Sequence, residues 1–116
     1  MIELRLDLPP TTNKSFKVGR GRFYETPEYR NYKVVAGMTA RSQCKHRPTD
    51  KDLKLEIDMY QRFGGDIDGR LKPLLDSLNG VIYIDDKQVV EIVVRKHTSK
   101  RAYCTVSYLL AQSELF

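Results

Sequence analysis

Cysteines and long apolar runs are both scarce in this sequence. Cys44 and Cys104 belong to no Cys-x-x-Cys spacing, so neither a zinc site nor a disulfide framework is indicated. This cysteine usage fits a reducing, cytoplasmic location. No apolar run reaches the length of a membrane span, and residues 1–8 alternate instead of forming the apolar block of a targeting segment. The sequence therefore predicts a cytoplasmic protein with no membrane partner, and it contains no internal repeat or low-complexity tract.

The length and the charge balance narrow the possibilities further. A chain of 116 residues, of which 41% are hydrophobic and 30% are charged, predicts a single globular domain over residues 1–116. Its formal net charge is +5 at pH 7, although several of its acidic residues are clustered. The remaining surface is therefore more basic than the net value indicates, which favours a polyanionic partner.

Five segments have the residue patterns of short strands. Alternation of apolar and polar residues is clearest in the first two, and Pro9-Pro10 is expected to end the first. The charged residues 95–101 predict a hairpin tip between the last two strands. Residues 11–24 predict an irregular polar loop. The predicted strands are residues 2–8, 53–60, 81–84, 89–94 and 102–110, of which 81–84 is either a short buried strand or an extended segment.

Two helices are predicted between these strands. Thr26-Pro27-Glu28 supplies an N-cap, a proline at the first helical position and an acid in the first turn, so a helix is expected from there to positions 41–44. Its buried face is expected to consist of Tyr29, Tyr32, Val35, Ala36 and Thr39. Leucines at i, i+3, i+4 and i+7 predict the second helix, ended by Asn79-Gly80; they are Leu71, Leu74, Leu75 and Leu78.

The order of these elements predicts the fold. It reads β-α-β-α-β-β-β, which is typical of the α/β class in its mixed α+β form. We expect one mixed sheet with both helices packed on one face of it.

Four aspartates flank the second helix. Asp66 and Asp68 precede it, and Asp85 and Asp86 follow it after a short apolar run. Crowded carboxylates repel one another unless a cation or strong hydrogen-bond donors hold the charge, and a metal is the simplest neutraliser. The alternative is structural: Asp68 as a helix N-cap with Asp66 in the preceding turn, and Asp85-Asp86 as a surface turn between strands.

Lys72 also has two interpretations. It is placed to pair with Asp68 and Asp76 on the helix surface, and it is equally placed to contact an anion held by a metal.

Basic residues alternate with aromatic ones in the segment 11–24. Such a pattern can hold phosphates and stack on exposed bases, and the alternative is a solvated loop whose aromatic rings fold inward. Together with Arg70, the polar residues of this segment are the predicted DNA contacts. They are Asn13, Lys14, Lys17, Arg20 and Arg22.

The run from Asp66 to Leu78, followed by Asn79 to Val90, closely resembles the RusA family of Holliday junction resolvases. That family carries a D-x-D-N-x-x-K-x-x-x-D-x-L motif and a later D-D-x-Q-V, and its members are often carried by phages and prophages. The resemblance covers the whole chain, more weakly at the N-terminal strand. The residue after the second aspartate is usually Asn in the family and is Gly69 here, so any donor which that Asn supplies must come from elsewhere.

The resemblance implies specific roles for individual residues. Asp66, Asp68 and Asp86 match the metal-binding catalytic aspartates, Lys72 matches the functional lysine, and Asp85 is a possible neighbouring ligand. It further implies a homodimer that binds four-way junction DNA and cuts paired strands with Mg²⁺, or with Mn²⁺ as a substitute.

The function expected from the sequence is therefore a magnesium-dependent endodeoxyribonuclease that resolves Holliday junctions in DNA recombination and repair. A non-catalytic, basic DNA-binding module is the alternative, in which the acids are only turn and cap residues. A small interaction protein without a nucleic-acid role would leave the basic aromatic segment unexplained.

Overall fold

The computed structural model describes residues 2–11, 16–19, 22–62 and 67–111, and gives the backbone alone for residues 16–19, 22–24 and 68. Within these residues the chain forms strands β1 (Ile2–Leu6), β2 (Phe16–Gly19), β3 (Arg22–Glu25), β4 (Leu53–Gln61), β5 (Val89–Thr98) and β6 (Tyr103–Leu110). The helices are α1 (Pro27–Gln43) and α2 (Leu71–Leu78), and single 3₁₀ turns occupy Asp68–Arg70 and Asp86–Gln88. None of the described helices is long and apolar enough to cross a membrane.

The main sheet has four strands in the order β1-β6-β4-β5. β4 runs parallel to β5 and antiparallel to β6, which in turn pairs antiparallel with β1, so the sheet is mixed. β4 was predicted from its alternation, and every second residue from Leu53 to Gln61 is buried. β4 is an inner strand that pairs with β5 on one edge and β6 on the other, while its alternate apolar side chains face the core.

Both helices pack against the same side of this sheet. The inward residues of β1, β4 and β6 form one core with Ala40 of α1 and with Leu74 and Leu78 of α2. Each fully buried Leu or Ile contributes about 1.5–3 kcal/mol relative to exposure. The predicted class, one mixed sheet with two helices on one face, is confirmed.

The capped start of α1 is also confirmed, but its buried face differs from the prediction. The Thr26 hydroxyl oxygen accepts a hydrogen bond from the backbone N–H of Tyr29. The buried residues are Tyr29, Tyr32, Ala36 and Ala40, whereas Val35 is 42% exposed. The face is therefore rotated toward Ala40, because α1 packs on α2 near Gly37, where an added Cβ would lie 3.2 Å from the Ser77 carbonyl oxygen.

The predicted irregular loop over residues 11–24 is wrong in part. β2 and β3 lie in it and pair as an antiparallel hairpin, with Phe16 opposite Glu25 and Gly19 opposite Arg22. Between its lysines and arginines, this segment carries β-forming residues such as Phe16, Val18 and Phe23 on either side of Gly19 and Gly21. That combination favours a hairpin.

Two further predictions on the strands are wrong. Residues 81–84 do not form a strand: Val81 and Ile82 lie in a turn after Gly80, whose φ of 78° redirects the chain, and Tyr83 makes isolated bridges to Thr49 and Asn79. Val81, Ile82 and Tyr83 are buried, as predicted. β5 and β6 do not form a hairpin, since β4 lies between them. The short connection after β5 crosses the end of β4, where the Ser99 N–H donates to the Gln61 carbonyl at 2.9 Å.

Candidate metal and phosphate site

The predicted site residues are described to different extents. Asp66, Asn13, Lys14 and Arg20 lie outside the described residues, and so do the side chains of Asp68, Lys17 and Arg22. The side chains of Lys72, Arg70, Asp85 and Asp86 are described.

Asp85 and Asp86 begin a 3₁₀ turn that leads into β5. Asp85 occupies the N-cap position, and its Oδ1 accepts a hydrogen bond from the Lys87 N–H at 3.0 Å. That hydrogen bond lowers the pKa of the Asp85 carboxyl. Asp85 therefore caps the turn on which Asp86 is the first residue.

Gln88 fastens this turn to the rest of the protein, and the prediction of site residues missed it. Its Oε1 accepts the N–H groups of Ile84 and Asp85, and its Nε2 donates to the carbonyl oxygens of Thr49 and Lys51, all at 2.7–3.0 Å. Asp85 and Gln88 form a capping box. The spacing Asp-x-x-Gln before an apolar run is the sequence signal that could have revealed it.

The electrostatic environment of Asp86 is unfavourable to its charge. Partial burial raises the pKa of its carboxyl, and the hydrogen bond with Asp85 and the negative charge of Asp76 raise it further. Lys72 opposes the rise. Asp86 is therefore a carboxylate that a nearby cation would stabilise strongly.

Lys72 lies on the first turn of α2 and faces the same region. Its Nζ is 3.4 Å from Oδ2 of Asp76, one helical turn later, and the same oxygen accepts a hydrogen bond from the Tyr29 hydroxyl of α1. The predicted pairing of Lys72 with Asp76 is confirmed. Tyr29 was predicted only as a core residue, and nothing in the sequence signals that its hydroxyl reaches α2.

Arg70 and the 3₁₀ turn before α2 correct one structural interpretation. α2 begins at Leu71 with Arg70 at the N-cap position and no side-chain cap, so Asp68 is not the N-cap of this helix. Pro73 is the third residue of α2, where the missing N–H has no intrahelical partner to lose.

The Arg70 guanidinium contacts the segment after β1. Its Nη1 donates to the Pro9 carbonyl oxygen, and its buried Nε has no hydrogen-bond partner among the described residues. Burial lowers the pKa of Arg70. The side chain lines a cavity of about 430 Å³ with Pro9, Tyr32 and Asp7. Arg70 thus ties the start of α2 to Pro9, and its predicted DNA contact stays a prediction.

The structure describes the side chain of one of the three predicted metal ligands. In the part of the chain that the structure describes, no three His, Cys, Asp or Glu side chains form a cluster that could hold a metal. The Asp86 carboxylate is an oxygen donor of the kind Mg²⁺ prefers, and Asp66 and Asp68 come a few residues before α2 in the sequence. Asp66 and the Asp68 carboxylate lie outside the described residues, so the predicted ligand set stays a prediction.

Comparison with known protein families agrees with the motif. A family model described as Endodeoxyribonuclease RusA matches residues 7–107. This range contains all the predicted site residues, from Asn13 to Asp86. No curated protein gives a significant match to the sequence.

Proposed function

Because the chain belongs to the RusA family of endodeoxyribonucleases, we propose that it cuts four-way DNA junctions by metal-dependent phosphodiester hydrolysis. Asp66, Asp68 and Asp86 are the proposed ligands of Mg²⁺, for which Mn²⁺ is a possible substitute, and Asp85 is their capping neighbour. The observation that carries the proposal is the position of Asp86. A turn held by the partly buried hydrogen bonds of Gln88 carries its carboxylate, whose pKa is raised by Asp85 and Asp76 and lowered by Lys72.

The residues around Asp86 suit phosphoryl chemistry. A bound Mg²⁺ supplies a water of lowered pKa and positive charge for the phosphate oxygens. Asp86 is held by a capped turn, which fixes the backbone from which its carboxylate extends. Lys72 is 66% exposed in its side chain and presents a compact positive charge, which is suited to the negative charge that develops on a phosphate during cleavage.

Most of the proposed DNA contacts precede the proposed metal ligands in the sequence, and Arg70 lies between Asp68 and Asp86. Lys17 and Arg22 lie on the β2–β3 hairpin, and β3 is followed directly by the capped start of α1. The net charge of +5 supports a polyanionic substrate. The other proposed contacts are Asn13, Lys14, Arg20 and Arg70.

We propose that the active form is a homodimer. Resolution of a four-way junction needs cuts in two opposed strands, and a two-fold symmetric dimer presents one site to each. The proposed setting is DNA recombination and repair.

One observation favours the alternative of a non-catalytic DNA-binding module. The Asp85 carboxylate is engaged as a cap, and in that alternative Asp86 is equally only a turn residue. Such a module would bind DNA without a metal and would not cut it.

The test compares a labelled four-way junction with a linear duplex of the same sequence. We expect paired cuts in the junction with Mg²⁺, none with a chelator, and none with Asp86→Asn, which should still bind the junction. Light scattering on the same samples measures the oligomeric state. Binding without cleavage across Mg²⁺ and Mn²⁺ titrations would establish the alternative instead.

A further inference from the structure

The Asp76 carboxylate joins the two helices beside Asp86. Its Oδ2 accepts a hydrogen bond from the Tyr29 hydroxyl of α1, and Lys72 Nζ lies 3.4 Å from the same oxygen. The Asp76 side chain is 17% exposed, whereas that of Lys72 is 66% exposed. A largely buried carboxylate therefore stands between a buried phenol and an ammonium group that reaches toward solvent.

Tyr29 is fixed from several directions. It is fully buried, and its backbone N–H donates to the Thr26 hydroxyl oxygen at 3.2 Å, so its main chain is part of the α1 cap. Lys33 Nζ lies 4.9 Å from the centre of the ring and forms an ion pair with Glu25 at 2.8 Å. A ring held in this way gives the hydroxyl one direction, and that direction sets the orientation of Asp76.

The Asp76 and Asp86 carboxylates differ in which neighbouring groups compensate their negative charge. Its Oδ2 already accepts from Tyr29 and faces Lys72, so the protein itself compensates it. The charge of Asp86 is instead opposed by its acidic neighbours, Asp76 among them, and supported by Lys72. Asp76 is thus a partner of Lys72 and not a candidate metal ligand.

We propose that Asp76 is a positioning residue which, held by Tyr29, restrains the Lys72 ammonium beside Asp86 so that it meets the scissile phosphate. The proposal rests on the proposed nuclease function. A lysine has a flexible stem whose rotamer freedom must be lost before its charge can act at one point. A single buried anchor one helical turn away removes part of that freedom before DNA binds.

A double-mutant cycle with Lys72→Met tests the proposal. Asp76→Asn preserves the size of the side chain and an acceptor for Tyr29, but removes the charge that restrains Lys72. The single-turnover rate at saturating junction and Mg²⁺ is expected to fall about 10- to 100-fold, as misplacement of a catalytic group does. In the Lys72→Met background the same substitution should change the rate by less than about 2-fold, because the two residues act as one unit.

Matched variants separate positioning from helix packing. Tyr29→Phe should lower the rate in the same direction as Asp76→Asn and be equally silent in the Lys72→Met background. Tyr32→Phe removes a buried hydroxyl of the same helix, which donates to the Asp7 carbonyl at 2.9 Å, and should leave the rate unchanged. Glu91→Gln removes the acid of an exposed ion pair with Lys54 and should also leave it unchanged.

Several results would overturn the proposal. The proposal is overturned if Asp76→Asn cuts within about 2-fold of the wild-type rate, or if its effect multiplies fully with that of Lys72→Met. Urea denaturation of each variant identifies any loss of cleavage rate that is due to unfolding. If Asp76→Asn unfolds, the double-mutant cycle is repeated with Tyr29→Phe in its place and is judged by the same criteria.

A second readout does not depend on cleavage. The NMR resonances of the Lys72 ε-methylene, assigned with Lys72→Arg, should move toward those of a free lysine in Asp76→Asn. Unchanged resonances would overturn the positioning role even in an active enzyme. If the wild-type protein binds junction DNA but never cuts it, the proposed function is wrong. The resonances would still show whether Asp76 restrains Lys72.

Discussion

The Gln88 side-chain oxygen accepts a hydrogen bond from the Asp85 N–H, with 2.9 Å between nitrogen and oxygen. The amide nitrogen of Gln88 donates at the same time to Thr49 and Lys51 in the segment before β4. One buried amide therefore joins the turn that carries Asp86 to the segment that leads into the central strand. The position of the candidate metal ligand depends on this connection.

Gln88→Glu is expected to lower the free energy of unfolding by about 1–3 kcal/mol at neutral pH, the cost of unpaired buried groups. The carboxylate keeps an acceptor for Asp85 but loses both donors and faces two carbonyl oxygens. Because those carbonyls raise the pKa of the new carboxyl in the folded state, the loss should shrink as the pH falls and the group gains a proton. Urea denaturation across pH measures this.

Gln43 offers the matched control for that substitution. Its amide also bridges a backbone N–H and a carbonyl, both of Arg5, but at an exposed position. Gln43→Glu should cost less and depend less on pH. Equal losses in the two variants would show that Gln88 is an ordinary surface amide.

Asp86→Asn should abolish cleavage and raise the free energy of unfolding in metal-free buffer. Partial burial, then Asp85 and Asp76, raise the pKa of Asp86, so its ionised form is destabilised in the folded state. A raised folded-state pKa makes the wild type gain stability as the pH falls through that pKa. The advantage of the variant is therefore expected at neutral pH and should vanish in acid, as measured by urea denaturation with a chelator.

Asp85→Asn is the contrasting variant for this prediction. The Lys87 N–H lowers the pKa of Asp85, so its charge stabilises the fold above the unfolded-state pKa and that contribution is lost as the pH falls. Its replacement should lower stability at neutral pH. If both aspartates behaved alike, or if Asp86→Asn still cut DNA, the distinction between cap and ligand would be wrong.

The elements that the sequence predicted well are those whose signal is local. Thr26 caps α1 because its hydroxyl reaches only three residues along the chain, and the alternation of β4 follows from one buried face. The leucines of α2 likewise recur at helical spacing within the helix itself, and Leu74 and Leu78 are fully buried.

The features that could not be predicted depend on contacts between distant segments. No local pattern says that β4 separates β5 from β6, since parallel pairing is decided by which strands share the core. The Tyr29 hydroxyl meets Asp76 across 47 positions of sequence, and Gln88 meets Thr49 across 39. The candidate site was found in the sequence because its acids are clustered, whereas the groups that orient them are not.

Junction binding is expected to weaken steeply with salt, because lysine and arginine contacts release counterions from phosphates. Reversing the charge at Lys14, Lys17, Arg20 and Arg22 should weaken binding and reduce the slope of log K against log salt by about 3 to 4. Fluorescence anisotropy titrations at several salt concentrations measure the slope.

The control for charge reversal uses basic residues on the sheet face that is turned away from the helices. Lys54 and Arg95 already pair with Glu91 and Glu56, so reversing them should leave the salt slope nearly unchanged. If the affinity does not change with salt concentration, segment 11–24 does not contact DNA. The same conclusion follows if the salt slope changes equally on reversal of this segment and of Lys54 and Arg95.

Lys72→Met should reduce cleavage far more than it reduces stability. As a helix surface pair with Asp76, Lys72 contributes only about 0.3–0.5 kcal/mol to folding. If its ammonium meets the charge on the scissile phosphate in a site that excludes water, its loss removes about 2.7–4 kcal/mol of transition-state stabilisation, as for other electrostatic donors. That difference corresponds to roughly 100- to 1,000-fold in rate.

A single-turnover rate at saturating junction and Mg²⁺ separates the two magnitudes, because it excludes effects on DNA binding and product release. Lys54→Met is the matched control, since Lys54 Nζ also lies 3.3 Å from a carboxylate oxygen in an exposed ion pair, but on the opposite face of the sheet. Its rate should equal that of the wild type. A Lys72→Met rate within a few-fold of this control would assign Lys72 to the helix surface, because a screened ion pair cannot account for more than that.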